Sequence, residues 1–188
     1  MIEYIKRLSK KINIEKKTQI TPSLSGNRFS QNFYNRPHHQ WIAQNKSVKR
    51  VFDTLLEYIG LNPEIDHKLG KNKNIIFQTA SGKLACSINQ EHSSNMIIVF
   101  PDLIEMMYSA SPLRASAILA HELGHIFYNH GDKNCTLTTL EKQLEADYFA
   151  TFLGFGKELQ DVLMDNGFDI DSRVRITHIT AQVITEQQ

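Results

Sequence analysis

One helical segment in the second half of the chain limits its fold more than any other feature. Residues 117–131 read AILAHELGHIFYNHG, and the apolar run before the first histidine predicts a helix that packs into the core. Ser111 and Pro112 suit the start of this helix, and Gly131 suits its end. Gly124 lies inside it, where glycine costs about 1 kcal/mol relative to alanine. We therefore expect something to approach the backbone of this helix closely at Gly124.

The same helix carries a pair of histidines spaced for metal binding. His121 and His125 are four residues apart, so their side chains lie on one face, and Glu122 follows the first of them. This HExxH spacing directs two imidazoles at one Zn²⁺ ion and brings a carboxylate near its bound water. We expect one zinc ion per chain, bound by His121 and His125, with Glu122 as the general base of a hydrolysis. The alternative is a surface helix that carries the pair by chance.

A third histidine follows this pair. The extended metzincin spacing would place its third metal-binding histidine ten residues after the first, which is Gly131 here, and His130 lies one residue short of that position. We therefore expect His130 to lie at the surface or to contact a metal-binding side chain, and not to bind the metal itself.

The order of predicted elements indicates an α+β fold. An amphipathic helix begins near Ser47, and further helices follow the histidine helix. Between them lie three runs with strand character, at residues 74–79, 83–89 and 95–100. We predict a small antiparallel sheet packed on the histidine helix and on an acidic helix that spans about 137–153. Residues 1–46 are polar and predict a loop-rich N-terminal lead-in, so the folded domain is expected at 47–188.

Composition excludes several classes of partner. The net charge of +1 gives no reason to expect nucleic acid or an anionic membrane. The N-terminus lacks the apolar core of a secretory signal, and no window approaches the roughly 18 apolar residues of a transmembrane span. Cys86 and Cys135 are too few for a disulfide framework. We expect a cytoplasmic or otherwise soluble protein whose partner is a peptide or protein substrate.

Several motifs together resemble one known group of enzymes. AILAHELGHIFYNHG, LEADYFATFLG and SRVRITHI are similar to the gluzincin metallopeptidases of the HtpX and CAAX prenyl protease type. The upstream stretch KLACSINQEHSSNMIIVFPDLIEMM looks like the strands and short helix that precede the HExxH helix in that family, and the resemblance covers about residues 47–180. It implies a zincin-like fold in which Asp147 hydrogen-bonds a zinc-binding histidine. It also implies that residues 83–89 form the edge strand along which a substrate peptide pairs.

The third metal ligand is where this chain departs from the family. The family's metal-binding glutamate lies four residues before the aspartate, and that position holds Gln143 here. Glu145 is acidic but lies about 200° away around an ideal helix. The ImmA-type metallopeptidases also resemble this chain in HELGH and EADYFA, and there Glu145 is the motif's own glutamate. We place Glu145 first as third ligand, Gln143 close behind and Glu141 more distant.

The C-terminal segment is a second departure. Arg175-Ile176 matches a family pair near the transition-state oxyanion, but the histidine expected before that pair is Asp169. We predict that Arg175 is a catalytic residue that stabilises the oxyanion. The alternative is a structural salt bridge, for which Glu145 is a candidate partner of Arg173 or Arg175.

These motifs favour a zinc-dependent metalloendopeptidase over two alternatives. One is an ImmA-like protease that inactivates a repressor. The other, suggested by Gln143 and Asp169, is a degenerate protein that keeps the zincin fold and binds partners without cleaving them.

Overall fold

The structure is a computed structural model that describes residues 28–71, 75–81, 85–89, 95–167 and 169–186, with only the backbone of 85–89 described. Most of the predicted N-terminal lead-in lies outside these residues, and so does the N-terminal segment that was judged not to be a secretory signal. The side chain of Cys86 also lies outside them. In the described part, none of the helices combines the length and apolar character needed to cross a lipid bilayer.

The described elements are mainly helical, with one small sheet near the middle of the order. In sequence they are α1 (Phe29–Asn32), a 3₁₀ turn (Pro37–His39), α2 (Gln40–Gln44), α3 (Lys46–Gly60), α4 (Pro63–Lys71), β1 (Ile76–Thr79), β2 (Ala85–Asn89), β3 (Asn95–Val99), α5 (Pro101–Tyr108), α6 (Leu113–Phe127), α7 (Thr139–Ala150), a π-helical turn (Thr151–Phe155), α8 (Gly156–Asp165) and α9 (Ile170–Glu186). The α+β class predicted from sequence agrees with this order.

The sheet is mixed, with strand order β1-β3-β2. β2 runs antiparallel to β3, with Ser87 opposite Ile97, whereas β1 runs parallel to β3, with Phe77 opposite that same residue. The small antiparallel sheet predicted from sequence is therefore wrong for β1, which pairs with β3 in parallel. In the sheet β3 lies between β1 and β2, so the first two strands along the chain are not neighbours. Strand periodicity identifies which face of a strand is buried but carries no information about which strands are neighbours.

The N-terminal residues in the described part are helical, in contrast to the loop-rich lead-in expected up to residue 46. Phe29, Phe33 and Ile42 are almost completely buried and belong to the same hydrophobic core as α3 and α6. The polar residues between them hid this pattern, because each helix is too short to show a helical period. The core of the domain thus begins before the predicted boundary at residue 47.

Side chains from this N-terminal region occupy the outer edge of β1. The indole Nε1 of Trp41 donates to the Phe77 carbonyl at 3.0 Å, and the Phe77 amide donates to His39 Nε2 at 3.4 Å. A guanidinium nitrogen of Arg36 donates to the Ile75 carbonyl at 2.9 Å. These bonds satisfy backbone groups that an edge strand otherwise presents to solvent.

α6 is buried along nearly its whole length and packs closely on α7. A Cβ built on Gly124 would lie 2.9 Å from Ala146 Cα, 3.0 Å from Phe149 Cβ and 3.1 Å from the Ala146 carbonyl oxygen. The close backbone approach expected at Gly124 is confirmed. It brings the acidic helix alongside the histidine face of α6.

Candidate metal site

The two histidines of α6 point their Nε2 atoms at each other. His121 Nε2 and His125 Nε2 are 3.2 Å apart, and the two side chains belong to residues that are 7% and 8% exposed. Tetrahedral zinc with Zn–N bonds of about 2.0–2.1 Å holds two imidazole nitrogens about 3.3 Å apart. The spacing of this pair therefore fits a zinc ion.

Burial keeps the second of these histidines neutral. Desolvation, with His121 and His130 nearby, lowers the pKa of His125 from 6.5 to about 3. A neutral imidazole has one nitrogen with a free lone pair, which is the form that binds metal. Near neutral pH this ring is in the form that metal binding requires.

Glu122 lies one residue after His121, and it is itself only 9% exposed. Since it is part of α6, its backbone position is fixed by the same packing that fixes the histidines. A carboxylate held out of bulk water beside a cation site is suited to accept a proton from a bound water.

Asp147 on α7 supports the first histidine. Its Oδ1 lies 2.8 Å from His121 Nδ1, in a contact of ion-pair length that is not aligned as a straight hydrogen bond. The Asp147 carboxylate is fully buried. Burial raises its pKa, but the hydrogen bonds from Arg175 and the nearby His121 imidazole outweigh that effect and lower the pKa to about 2. The ionised carboxylate lies against Nδ1 of His121, on the side of the ring opposite the Nε2 that faces His125.

Arg175 on α9 is engaged by this aspartate. Its Nε donates to Asp147 Oδ2 and its Nη2 to Oδ1, each at 2.7 Å. The oxyanion role predicted for Arg175 stays a prediction, since the structure places the guanidinium in a bidentate pair behind His121. A salt bridge was the alternative, and the partner is Asp147 in place of Glu145.

The second histidine, His125, is contacted by His130, for which the sequence analysis expected either a surface position or contact with a metal-binding side chain. His125 Nδ1 and His130 Nδ1 are 2.7 Å apart. Just after α6, Asn129 has a left-handed backbone with φ of 57°, and the His130 amide donates to the His125 carbonyl at 3.0 Å. This turn brings the His130 ring back against the helix. The signal was Asn129, a residue type that favours the left-handed conformation after a helix.

Glu145 contacts His130. Its Oε2 lies 3.0 Å from His130 Nε2, and Glu145 is 5% exposed. The side chain beside the metal-facing atom of His125 is the half-buried Gln143, whose Nε2 lies 3.4 Å from His125 Nε2. A direct bond from Glu145 to the metal therefore stays a prediction that this contact does not support. Glu141 instead takes part in the capping box that begins α7.

The donor set is unusual because an amide stands where a carboxylate is common. Among the described residues, no group of three or more His, Cys, Asp or Glu side chains is arranged to hold a metal ion. The fit to zinc rests on the His121–His125 pair, with Gln143 as a neighbouring amide. Rotation of that amide by 180° presents its oxygen, which is a metal-binding atom, in place of its nitrogen.

Comparison with known proteins identifies one family. Peptidase family M48 matches residues 87–185, slightly more than half of the 188-residue chain. The match contains the candidate site residues on α6, α7 and α9. No curated protein and no solved structure matches the chain significantly.

Proposed function

Because the chain belongs to peptidase family M48, we propose that it is a zinc-dependent metalloendopeptidase. The observation that carries the proposal is the pair of Nε2 atoms 3.2 Å apart, each on a buried histidine of α6. His121 and His125 are the proposed zinc ligands. The contact with His125 favours Gln143 as the third protein ligand over Glu145, which the sequence analysis placed first.

The proposed mechanism assigns the proton transfers to Glu122. Bound zinc would supply a Lewis acid that acidifies a water molecule and polarises the scissile carbonyl. Glu122 accepts a proton from that water on a carboxylate oxygen and then passes it to the leaving amine. Asp147 holds the His121 ring in place through Nδ1 while Arg175 holds Asp147.

The sheet edge supplies a place for an extended peptide. β2 is an edge strand of the described sheet and lies beside α6. A substrate that pairs with β2 would bind through its backbone, and its side chains would then contribute little to the affinity. We propose that the substrate is an extended segment of a peptide or protein, with its scissile bond carried toward His121 and His125.

The substitution Glu122→Gln tests this mechanism. It removes the proton acceptor and keeps the size of the side chain, so hydrolysis should fall at least about a hundredfold while zinc still binds. Cleavage of unfolded casein and zinc content per chain would both be measured. Glu105→Gln, an exposed residue on α5, is the matched control and should leave both unchanged. Equal cleavage by Glu122→Gln and wild type, or a wild-type chain that takes up no zinc, would sink the proposal.

Gln143 favours a second candidate, a protein that binds peptides without cleaving them. A neutral amide offsets none of the charge of a divalent cation, which weakens the site relative to one with a carboxylate. Such a protein would bind an extended peptide equally well with glutamate or glutamine at position 122, and it would cleave no peptide when loaded with zinc.

A further inference from the structure

We propose that His130 and Glu145 form a positioning pair that sets the tautomer of His125 and turns its Nε2 lone pair toward the metal. The metal in this statement rests on the proposed function, whereas the tautomer does not. Neither residue is proposed to touch the metal or the substrate. Both act through His125.

The chain of hydrogen bonds begins at the carboxylate. An ionised carboxylate accepts hydrogen bonds and cannot donate them. Glu145 Oε2 lies 3.0 Å from His130 Nε2, so that nitrogen carries the hydrogen. A neutral imidazole with hydrogen on Nε2 has its lone pair on Nδ1. With Glu145 ionised and the His130 ring neutral, His130 Nδ1 is therefore a hydrogen-bond acceptor.

The second hydrogen bond, between His130 and His125, makes the tautomer of His125 depend on that of His130. His130 Nδ1 and His125 Nδ1 are 2.7 Å apart, and only one hydrogen can lie between them. Since His130 Nδ1 accepts, His125 Nδ1 is the donor. The lone pair of the His125 ring is then on Nε2, the atom that faces His121 Nε2 at 3.2 Å.

The surroundings hold this arrangement in place. His130 and Glu145 are 6% and 5% exposed, so water competes weakly for their hydrogen bonds. The ring of Tyr128 stacks on that of His130, with centroids 5.8 Å apart and an angle of 19° between the planes. The left-handed Asn129 fixes the turn between α6 and His130.

The two zinc-facing histidines thus have different supports. Behind His121, the negative charge of Asp147 is offset by the bidentate guanidinium of Arg175. Behind His125, the carboxylate of Glu145 meets an imidazole. Gln143 brings no charge to His125, so Glu145 supplies negative charge to this side of the site from one residue further out. Glu145 can thus affect the affinity for zinc without being a metal ligand.

Two variants separate the roles of the pair. His130→Phe keeps a ring to stack on Tyr128 but removes the acceptor for His125 Nδ1. Glu145→Gln keeps an oxygen that accepts from His130 Nε2 but removes the charge. The exposed residue Glu57 on α3 provides the control, Glu57→Gln.

Long-range ¹⁵N NMR of the metal-free protein reports which nitrogen of His125 carries hydrogen, and chelator competition reports zinc affinity. We expect hydrogen on Nδ1 in wild type, in Glu57→Gln and in Glu145→Gln. In His130→Phe we expect a mixture of tautomers and zinc affinity lowered about 10–100-fold. Glu145→Gln should lose less affinity than His130→Phe. The amide correlation spectrum of each variant checks that it is folded.

Two results would overturn the positioning role. One is a His125 tautomer and zinc affinity unchanged in His130→Phe. The other is a loss of zinc in Glu145→Gln that equals or exceeds the loss in His130→Phe, which would make Glu145 a ligand. A wild-type chain that binds no zinc, yet has hydrogen on His125 Nδ1 and loses it in His130→Phe, supports the positioning pair while contradicting the proposed function.

Discussion

Gln143 places a neutral amide, and so no negative charge, next to Nε2 of His125, the atom proposed to bind zinc. Its amide is 3.4 Å from His125 Nε2, on a half-buried side chain. A carboxylate at the same position would offset part of the charge of a divalent ion, which an amide cannot do. We therefore expect this one side chain to influence how tightly zinc binds at the proposed site.

We predict that Gln143→Glu tightens zinc binding at least about tenfold, or ~1.4 kcal/mol. Competition with a chromophoric chelator would measure the dissociation constant. Gln78→Glu adds the same charge on an exposed residue of β1 and should leave the constant unchanged. Unchanged or weaker binding in Gln143→Glu would mean that position 143 does not face the metal.

Spacing along one helix was enough to predict the centre of the site, whereas contacts between segments were not. His121 and His125 meet because residues four apart share a helical face. The contact of His130 with His125 depends on the left-handed Asn129, which shifts His130 out of the helical register. The place of Glu145 depends in turn on His130, so helical angles alone could not determine it.

Among the helices, α6 and α7 are held together at Gly124. An alanine Cβ there would meet Ala146 Cα at 2.9 Å and the Ala146 carbonyl oxygen at 3.1 Å. Both are backbone atoms, which cannot move aside without moving α7. The distance from His121 to Asp147 on α7 depends on the same packing.

In Gly124→Ala, overpacking should cost about 1–3 kcal/mol, while alanine brings a gain of about 1 kcal/mol to a helix interior. We therefore predict a net loss in the free energy of unfolding of up to about 2 kcal/mol. Urea unfolding followed by circular dichroism would measure it. Gly60→Ala in α3 is the control, because its Cβ would meet only the Ser30 side chain, at 3.4 Å or more. Equal stability of wild type and Gly124→Ala would contradict the tight packing described here.

The strands illustrate the limit of prediction for larger elements. All three strand runs were recognised from β-branched and apolar residues, but their order β1-β3-β2 was not. Neighbour order depends on the path of the chain between strands and on what covers the sheet. Here the cover includes the short N-terminal helices, whose core residues Phe29 and Phe33 are too few to show a period.

The stability of the protein as a whole depends on a buried histidine far from the candidate site. His39 is 0% exposed, its Nδ1 donates to the Phe33 carbonyl at 2.8 Å, and its Nε2 accepts from the Phe77 amide. Burial lowers the pKa of His39 from 6.5 to about 4. As the pH falls through this range, His39 becomes protonated in the unfolded chain but stays neutral in the folded one. Lower pH therefore favours the unfolded state, and the folded state loses stability.

We predict that wild-type stability falls between about pH 6.5 and pH 4, with His39 contributing on the order of 3 kcal/mol. Urea unfolding of the metal-free protein at several pH values would measure the slope. His39→Gln keeps a donor and an acceptor without titrating, so its slope should be shallower. His38→Gln, at the exposed neighbour, should follow wild type. The same slope in His39→Gln and wild type would show that His39 does not carry this dependence.

The side chains on β1 also restrict how copies of this protein can associate. On the outer side of β1, the backbone of Phe77 is hydrogen-bonded to the side chains of Trp41 and His39. The carbonyl of Ile75, just before β1, accepts from Arg36. In the described sheet a further strand can therefore add at β2 and not at β1. If two copies joined their sheets through β2, the combined sheet would have a blocked β1 at both ends. The assembly would then stop at a dimer and could not extend into a fibre. Among the described strands, β2, the strand beside the histidines, is thus the one with an edge at which a peptide or a second copy could pair.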